Sequence, residues 1–368
     1  MKEMTSRERL TRLFNGQEVD RTPIWLLAPY HHVDFYADIY DLPSYERLVP
    51  YIGCYCDTFD RRTYPCGVAY NANPEIKRTK RTEKTQKGTA EIEEIAYKDF
   101  VLQKSVYRGT DGTRVKYFTE DIEDLKRLIE IPYVPLAPDV SAYAREKEEL
   151  GEQGLMMVDV GDPLGVFYHT LSAEDFSIYS LTEYETLLEL SDVVYERTYH
   201  LYKYLLERDV GEVFFLVGAE FAGPPLVSPD KFSELCVKYV KGIVDLIRSY
   251  GKKSILHYHG QLYDVLDGMK QIGPDALHTI EAPPVGNCTI AQAREKLGDM
   301  ILIGNVQYDD LAHQSREEIE AQVRVAVAEG GERFILSPTA GPYEDVISDK
   351  MVDNYIAFIE AGMRYGGR

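Results

Sequence analysis

Short apolar runs that recur along the chain, each followed by turn-formers and then by a longer helical pattern, constrain this sequence more than any other feature. Parallel strands must be joined by crossovers, usually helices, and strands buried on both faces read as continuous apolar runs. Eight runs fit: 23–28 (PIWLLA), a weaker one over 57–64, 155–160 (LMMVDV), 213–219 (VFFLVGA), 254–258 (SILHY), 276–280 (ALHTI), 300–303 (MILI) and 333–337 (RFILS). Amphipathic stretches separate the last five, such as the one opening at Ser228-Pro229, where an N-cap residue precedes proline at the first helical position. Repeated strand-then-helix units give a barrel or a doubly wound sheet. No Gly-x-Gly-x-x-Gly or P-loop follows any run, so the nucleotide-binding sheet lacks its fingerprint. The expectation is a (β/α)8 TIM barrel over 1–368 as one domain.

The rhythm breaks over 82–118. Three β-patterned runs joined by turn-formers, with Asp111-Gly112 as the best hairpin signal, predict an inserted antiparallel β-hairpin region at about 82–120 that either lids the pocket or plugs one end of the barrel. The basic run Lys77-Arg78-Thr79-Lys80-Arg81 just before it reads as a solvated loop. A net charge of -20 argues against nucleic acid or an anionic membrane surface as a partner. The opening MKEMTSRERLTRLFNG reads as a charged amphipathic helix without a signal-peptide core or a membrane span, so cytoplasmic residence is expected. Five cysteines in odd number and without CxxC pairs predict reduced thiols, and Cys54, Cys56 and Cys66 fit no common zinc spacing.

In a parallel barrel the chemistry sits at the C-terminal strand ends. His257 and His259 lie two apart on one such end and project to the same side, with Gly260 freeing the backbone to turn away. Glu220 and Glu281 close the flanking runs. His257, His259 and Glu281 with an open position would form a set for zinc or another divalent metal such as Mn or Fe(II), with Glu220 as a fourth ligand or general base. Without metal, the same two imidazoles and two carboxylates serve as general acids and bases, and both readings stand on sequence alone. Tyr30, His31, His169, Gln261, Gln307 and Tyr343 follow strand ends as candidate substrate contacts. His278, inside its run, reads as a core histidine.

Several segments carry a resemblance. Residues 7–16 (RERLTRLFNG), Val19-Asp20-Arg21-Thr22-Pro23-Ile24-Trp25, Leu226-Val227-Ser228-Pro229, the strand ending at His257, Gly304-Asn305-Val306 and the turn after Ser337 resemble, in order, the uroporphyrinogen decarboxylase superfamily. The stretch 117–125 is similar to that of its corrinoid-linked methyltransferases. The resemblance implies the barrel, a homodimer and one of two chemistries. True decarboxylases of this family carry an arginine stretch after the first strand, and here that place reads Leu26-Leu27-Ala28-Pro29-Tyr30-His31-His32. The methyltransferase branch fits better through its strand-end histidine, a zinc ligand in that branch, although His259 and Thr339-Ala340-Gly341 stand where it has cysteines. It implies methyl transfer or demethylation of a small molecule, with a corrinoid on a separate protein as acceptor. The alternatives are metal-free decarboxylation of a small or porphyrinogen acid and a barrel that only binds ligand.

Overall fold

The structure is a computed structural model describing residues 3–367. Its strands are β1 (Thr58–Thr63), β2 (Lys77–Lys84), β3 (Gly88–Tyr97), β4 (Phe100–Gly109), β5 (Gly112–Lys116), β6 (Gly154–Asp159), β7 (Val213–Leu216), β8 (Lys253–Tyr258), β9 (Ala276–Thr279), β10 (Ile301–Val306) and β11 (Phe334–Pro338). A seven-stranded parallel sheet runs in chain order, β1-β6-β7-β8-β9-β10-β11, and β2 to β5 form a separate antiparallel four-stranded sheet. Helices such as Tyr184–Leu206, Lys238–Ser249 and Asp349–Gly366 pack over the parallel sheet. Among the described residues no helix is long and apolar enough to cross a membrane.

The run 23–28, expected as the first strand, forms only a single parallel bridge, from Ile24 to Leu336. Local chemistry explains the difference. Pro23 has no N–H to give, the Ile24 N–H donates to the Asp57 carboxylate at 3.0 Å, and Leu27 turns the backbone to φ 60°. The segment still touches both edges of the parallel sheet. Trp25 N–H donates to the Leu336 carbonyl at 2.8 Å, Leu336 N–H to the Pro23 carbonyl at 2.9 Å, and Asp57 N–H to the Ile24 carbonyl at 2.6 Å. The sheet is therefore curled, with its two edges meeting on one short stretch of chain.

Alternation along the strands divides the apolar side chains in two. One set faces the helices. The other, which includes Phe59, Met157, Phe215, Ile255, Ala276, Ile303 and Ile335, packs inside the curl, where Leu10, Leu13 and Phe14 of the helix Ser6–Phe14 join it. The insertion spans four strands rather than the three expected. The basic run is not a loop but β2, exposed along its whole length, and charged side chains on such an outer strand discourage pairing with another chain.

Asp57 ties the N-terminal helix and the edge-bridging segment to the sheet. Its carboxylate, 1 % exposed, accepts from Arg9 at 2.6 Å, Arg21 at 2.9 Å and the Ile24 N–H. Replacing Asp57 by Asn leaves the buried Arg21 guanidinium without its ion-pair partner and Arg9 with Asp20 alone, and is expected to cost about 3–5 kcal/mol. Urea unfolding should show a lower midpoint at unchanged m-value; an unchanged midpoint would mean that this junction does not hold the fold.

Candidate functional site

Two residues beyond the inner apolar layer, four strands place polar side chains: Arg61 after Phe59, Asp159 after Met157, His257 after Ile255 and His278 after Ala276. Side chains two apart share a face, so these groups crown the apolar core at the C-terminal mouth of the curl. Above them lies a cavity of about 760 Å³ whose walls include Arg61, Asp159, His257, His259, Glu220, His169 and Tyr343. Arg78, Glu93, Ile95 and Lys104 from the antiparallel sheet line the same cavity, so the insertion covers the mouth rather than plugging the far end.

His257 and His278 are paired by the register of β8 and β9, and their Nδ1 atoms lie 2.8 Å apart. His278 Nε2 faces the Pro338 carbonyl oxygen at 3.2 Å. A carbonyl only accepts, so the His278 proton sits on Nε2 and its Nδ1 must accept from Nδ1–H of His257. The remaining nitrogen of His257, Nε2, therefore carries a lone pair. Burial, and then the neighbouring His259, hold His257 well below the usual histidine range, and burial pushes His278 down to about 3. Both rings are neutral.

His259 is held in the opposite state. Its Nδ1 lies 3.1 Å from Glu281 Oε1, and its ring packs edge-to-face on His257 at 4.5 Å between centroids. Burial opposes charge on His259, but the hydrogen bond and charge of Glu281, aided by Glu220, outweigh it and raise its pKa. Burial likewise works against the Glu281 anion and is outweighed by His259 and the Gly260 N–H, so this carboxyl lies below its usual range. Glu281 is anchored by the Gly260 N–H at 2.7 Å and by Gln307 Nε2 at 3.2 Å, and Gln307 is itself held by Thr339 at 3.0 Å. Two adjacent imidazoles thus present one acceptor and one ring biased toward its charged, donating form.

Carboxyls nearby are biased toward the neutral form. Burial, with the charge of Glu281 adding to it, raises Glu220. Burial and then Glu220 push Asp162 up to about 8, and its Oδ2 is without a hydrogen-bond partner. Arg61 is fixed by two bonds to Asp159 Oδ2 and one to the Tyr36 hydroxyl at 2.7 Å, with its guanidinium over the rings of Phe35 at 4.4 Å and Phe215 at 4.8 Å.

Of the candidates read from sequence, Glu220, His257, His259, His169 and Tyr343 meet at this cavity, and Glu281 and Gln307 stand behind His259. Tyr30, His31 and Gln261 do not line it. His31 is bound between Asp60 at 2.7 Å and Glu149 at 3.1 Å, Tyr30 packs edge-on against His31, and Gln261 is exposed. The expected metal set also differs. Both Glu281 oxygens are taken by His259, Gln307 and Gly260, so Glu281 supports His259 rather than joining the two imidazoles as a third donor. Among the described residues no three His, Cys, Asp or Glu side chains gather in a metal-holding group. Arg61, Asp159 and the role of His278 escaped the sequence reading, yet a step of two residues from each inner apolar position reaches all three.

The His259–Glu281 pair should stabilise the fold only within a pH window. Glu281, with a lowered pKa, contributes above the ordinary carboxylate value of about 4.3, and His259, with a raised one, contributes until pH rises through its folded-state pKa. Relative to Glu281→Gln, the wild type should be most stable inside that window and lose the difference on both sides, as read by urea unfolding across pH. A difference that persists well above the histidine range would show that His259 carries no charge.

The family model for uroporphyrinogen decarboxylase (URO-D) matches residues 106–365. No curated protein matches the chain. Among solved structures, a methyltransferase from Methanosarcina mazei is 18% identical with a TM-score of 0.62, and 99% of each chain is covered. A B12-independent methionine synthase from Shewanella sp. W3-18-1 is 10% identical with a TM-score of 0.49, over 94% of this chain and 97% of that one.

Proposed function

Since this chain belongs to the uroporphyrinogen decarboxylase family, we propose that its curled sheet is a closed (β/α)8 barrel and that the cavity at its mouth is the active site of a methyltransferase-type enzyme acting on a small methoxylated or otherwise methylated compound. The observation that carries the chemistry is the pair of adjacent imidazoles with different second partners, His257 on His278 and His259 on Glu281, which bias them toward opposite protonation states. Environments that push two neighbouring titratable groups apart assign them as base and acid.

In this reading the His257 Nε2 lone pair orients the substrate through a hydroxyl or water. The Nε2–H of His259 donates to the oxygen that keeps the electrons of the breaking C–O bond. As the methyl leaves, that oxygen takes the His259 proton, and Glu281 steadies the imidazolium until the transfer. A corrinoid carried by a separate protein would supply the methyl acceptor. The supply of cations weighs against a porphyrinogen as substrate. Arg61 is neutralised by Asp159 and Arg78 by Glu93, which leaves too few positive groups in the cavity for a polyacid.

With reduced cobalamin as acceptor and a panel of small methyl ethers, His259→Ala is expected to lose about 10²- to 10⁴-fold in rate, the ordinary worth of a general acid. The loss should shrink for ethers whose leaving oxygen needs no proton. Wild-type rate should fall as pH rises through the raised His259 pKa. A variant as fast as wild type on every ether it turns over would remove His259 from the chemistry. If ligands bind but none is turned over, a barrel that only binds is the surviving account.

A divalent metal, zinc first, is the second reading, favoured by the 4.5 Å spacing of the His257 and His259 rings. As arranged the donors do not fit it, because His259 would have to lose its proton and Glu281 its hydrogen bonds. Elemental analysis decides. One equivalent of metal that His257→Ala loses supports this reading, and none after incubation with excess zinc removes it.

A further inference from the structure

The inserted sheet does more than cover the cavity. Residues 77–116 carry 11 Lys and Arg against 6 Asp and Glu, in a chain whose net charge is -20. Three of their charged side chains reach the cavity wall: Arg78, Glu93 and Lys104. Arg78 and Glu93 pair with each other across β2 and β3. Lys104 is different. It is half-buried on β4, its ammonium stands 5.8 Å from the centroid of the Tyr117 ring, and Glu93, the carboxylate opposite it in the β3–β4 register, is engaged by Arg78. Arg61 and Arg78 in the same wall are each closed on a carboxylate, whereas Lys104 shares its neighbour Glu93 with Arg78 and makes no ion pair of its own among the described residues.

Two further features surround it. His169, in the helix Gly165–Thr170, lines the same cavity, and burial first and then the charge of Lys104 lower its pKa, which biases it toward an uncharged hydrogen-bonding group. The cavity wall also holds the rings of Phe35, Phe215 and Tyr343, the first two beside the Arg61 guanidinium. Cavities of this size hold compounds of drug-like dimensions, and flat apolar walls with one charged terminus select flat molecules with one opposite charge.

Accepting the reading of the imidazole end as the reacting end, we propose that Lys104 is a specificity-determining residue which binds the single carboxylate of an aromatic acid, so that the substrate is a monoanionic aryl compound spanning from the inserted sheet to His257. The sheet is then a recognition element, and the compound's reacting substituent lies at the pole opposite its acid group.

Isothermal titration of the full chain with 3-methoxybenzoate and its neutral counterpart 3-methoxybenzamide tests this. The acid should bind more tightly than the amide. Lys104→Met should weaken the acid about tenfold or more, the worth of a charge-assisted hydrogen bond, and leave the amide unchanged, and Lys104→Arg should retain most of the acid's affinity. Because Lys104 is only half-buried in a surface sheet, loss of folding is read separately by the thermal midpoint. Acid and amide binding equally, neither binding, or Lys104→Met leaving the acid unaffected would each overturn the proposal. Lys104-dependent binding without turnover of any ether would fell the chemistry and leave the anion-recognising end standing. Turnover confined to neutral ethers, indifferent to Lys104→Met, would do the reverse.

Discussion

The hydrogen bond between the two buried imidazoles of His257 and His278 is the constraint on which the site depends. It is short, 2.8 Å, and closed from behind by the Pro338 carbonyl, so neither ring has a choice of tautomer. Burial removes the option of charge. His257 therefore enters the cavity as a fixed acceptor, and a positive His259 beside it costs less than it would next to a second cation. The same logic in reverse, with Glu281 clamped by Gly260 and Gln307, keeps a proton on His259. Two identical side chains one pleat apart acquire opposite roles from their second partners.

This depends in turn on the curl of the sheet. The inner layer from Phe59 through Ile335 is packed tightly enough that the next position along each strand has a fixed place, which is where Arg61, Asp159, His257 and His278 stand. Arg61 is sandwiched between Phe35 and Phe215 and tied to Asp159, a rigid wall rather than a mobile clamp. The bridge of Ile24 to Leu336 and the Asp57 network tie the segment 23–28 to both edges of the sheet, so the base of the cavity is coupled to that junction.

Most of the parallel sheet could be read from the sequence, because a buried strand followed by a helix leaves a short apolar run bounded by turn-formers and then a helical pattern. The pair His257 and His259 could be read from the two-residue period. The run at 23–28 looked like a strand since PIWLLA is apolar, but apolarity does not reveal that Ile24 gives its N–H to a carboxylate or that Leu27 turns left-handed. His278 looked like core, and it is fully buried. Its role lies in which nitrogen meets Pro338, a matter of atomic geometry that spacing does not encode. The lysine-rich run became a strand because β3 offered it a partner, and pairing of that kind is invisible to local charge pattern.

The inserted sheet and the curl meet at one cavity from opposite sides, and the chemistry read from that cavity rests on where two histidines keep their protons. Neutron diffraction from crystals held at pH 6.5 measures this directly. The expected map has deuterium on His257 Nδ1 and none on its Nε2, deuterium on His278 Nε2, and deuterium on both nitrogens of His259. Deuterium on His257 Nε2 would contradict the account by removing the acceptor, and a singly protonated His259 would contradict it by removing the acid.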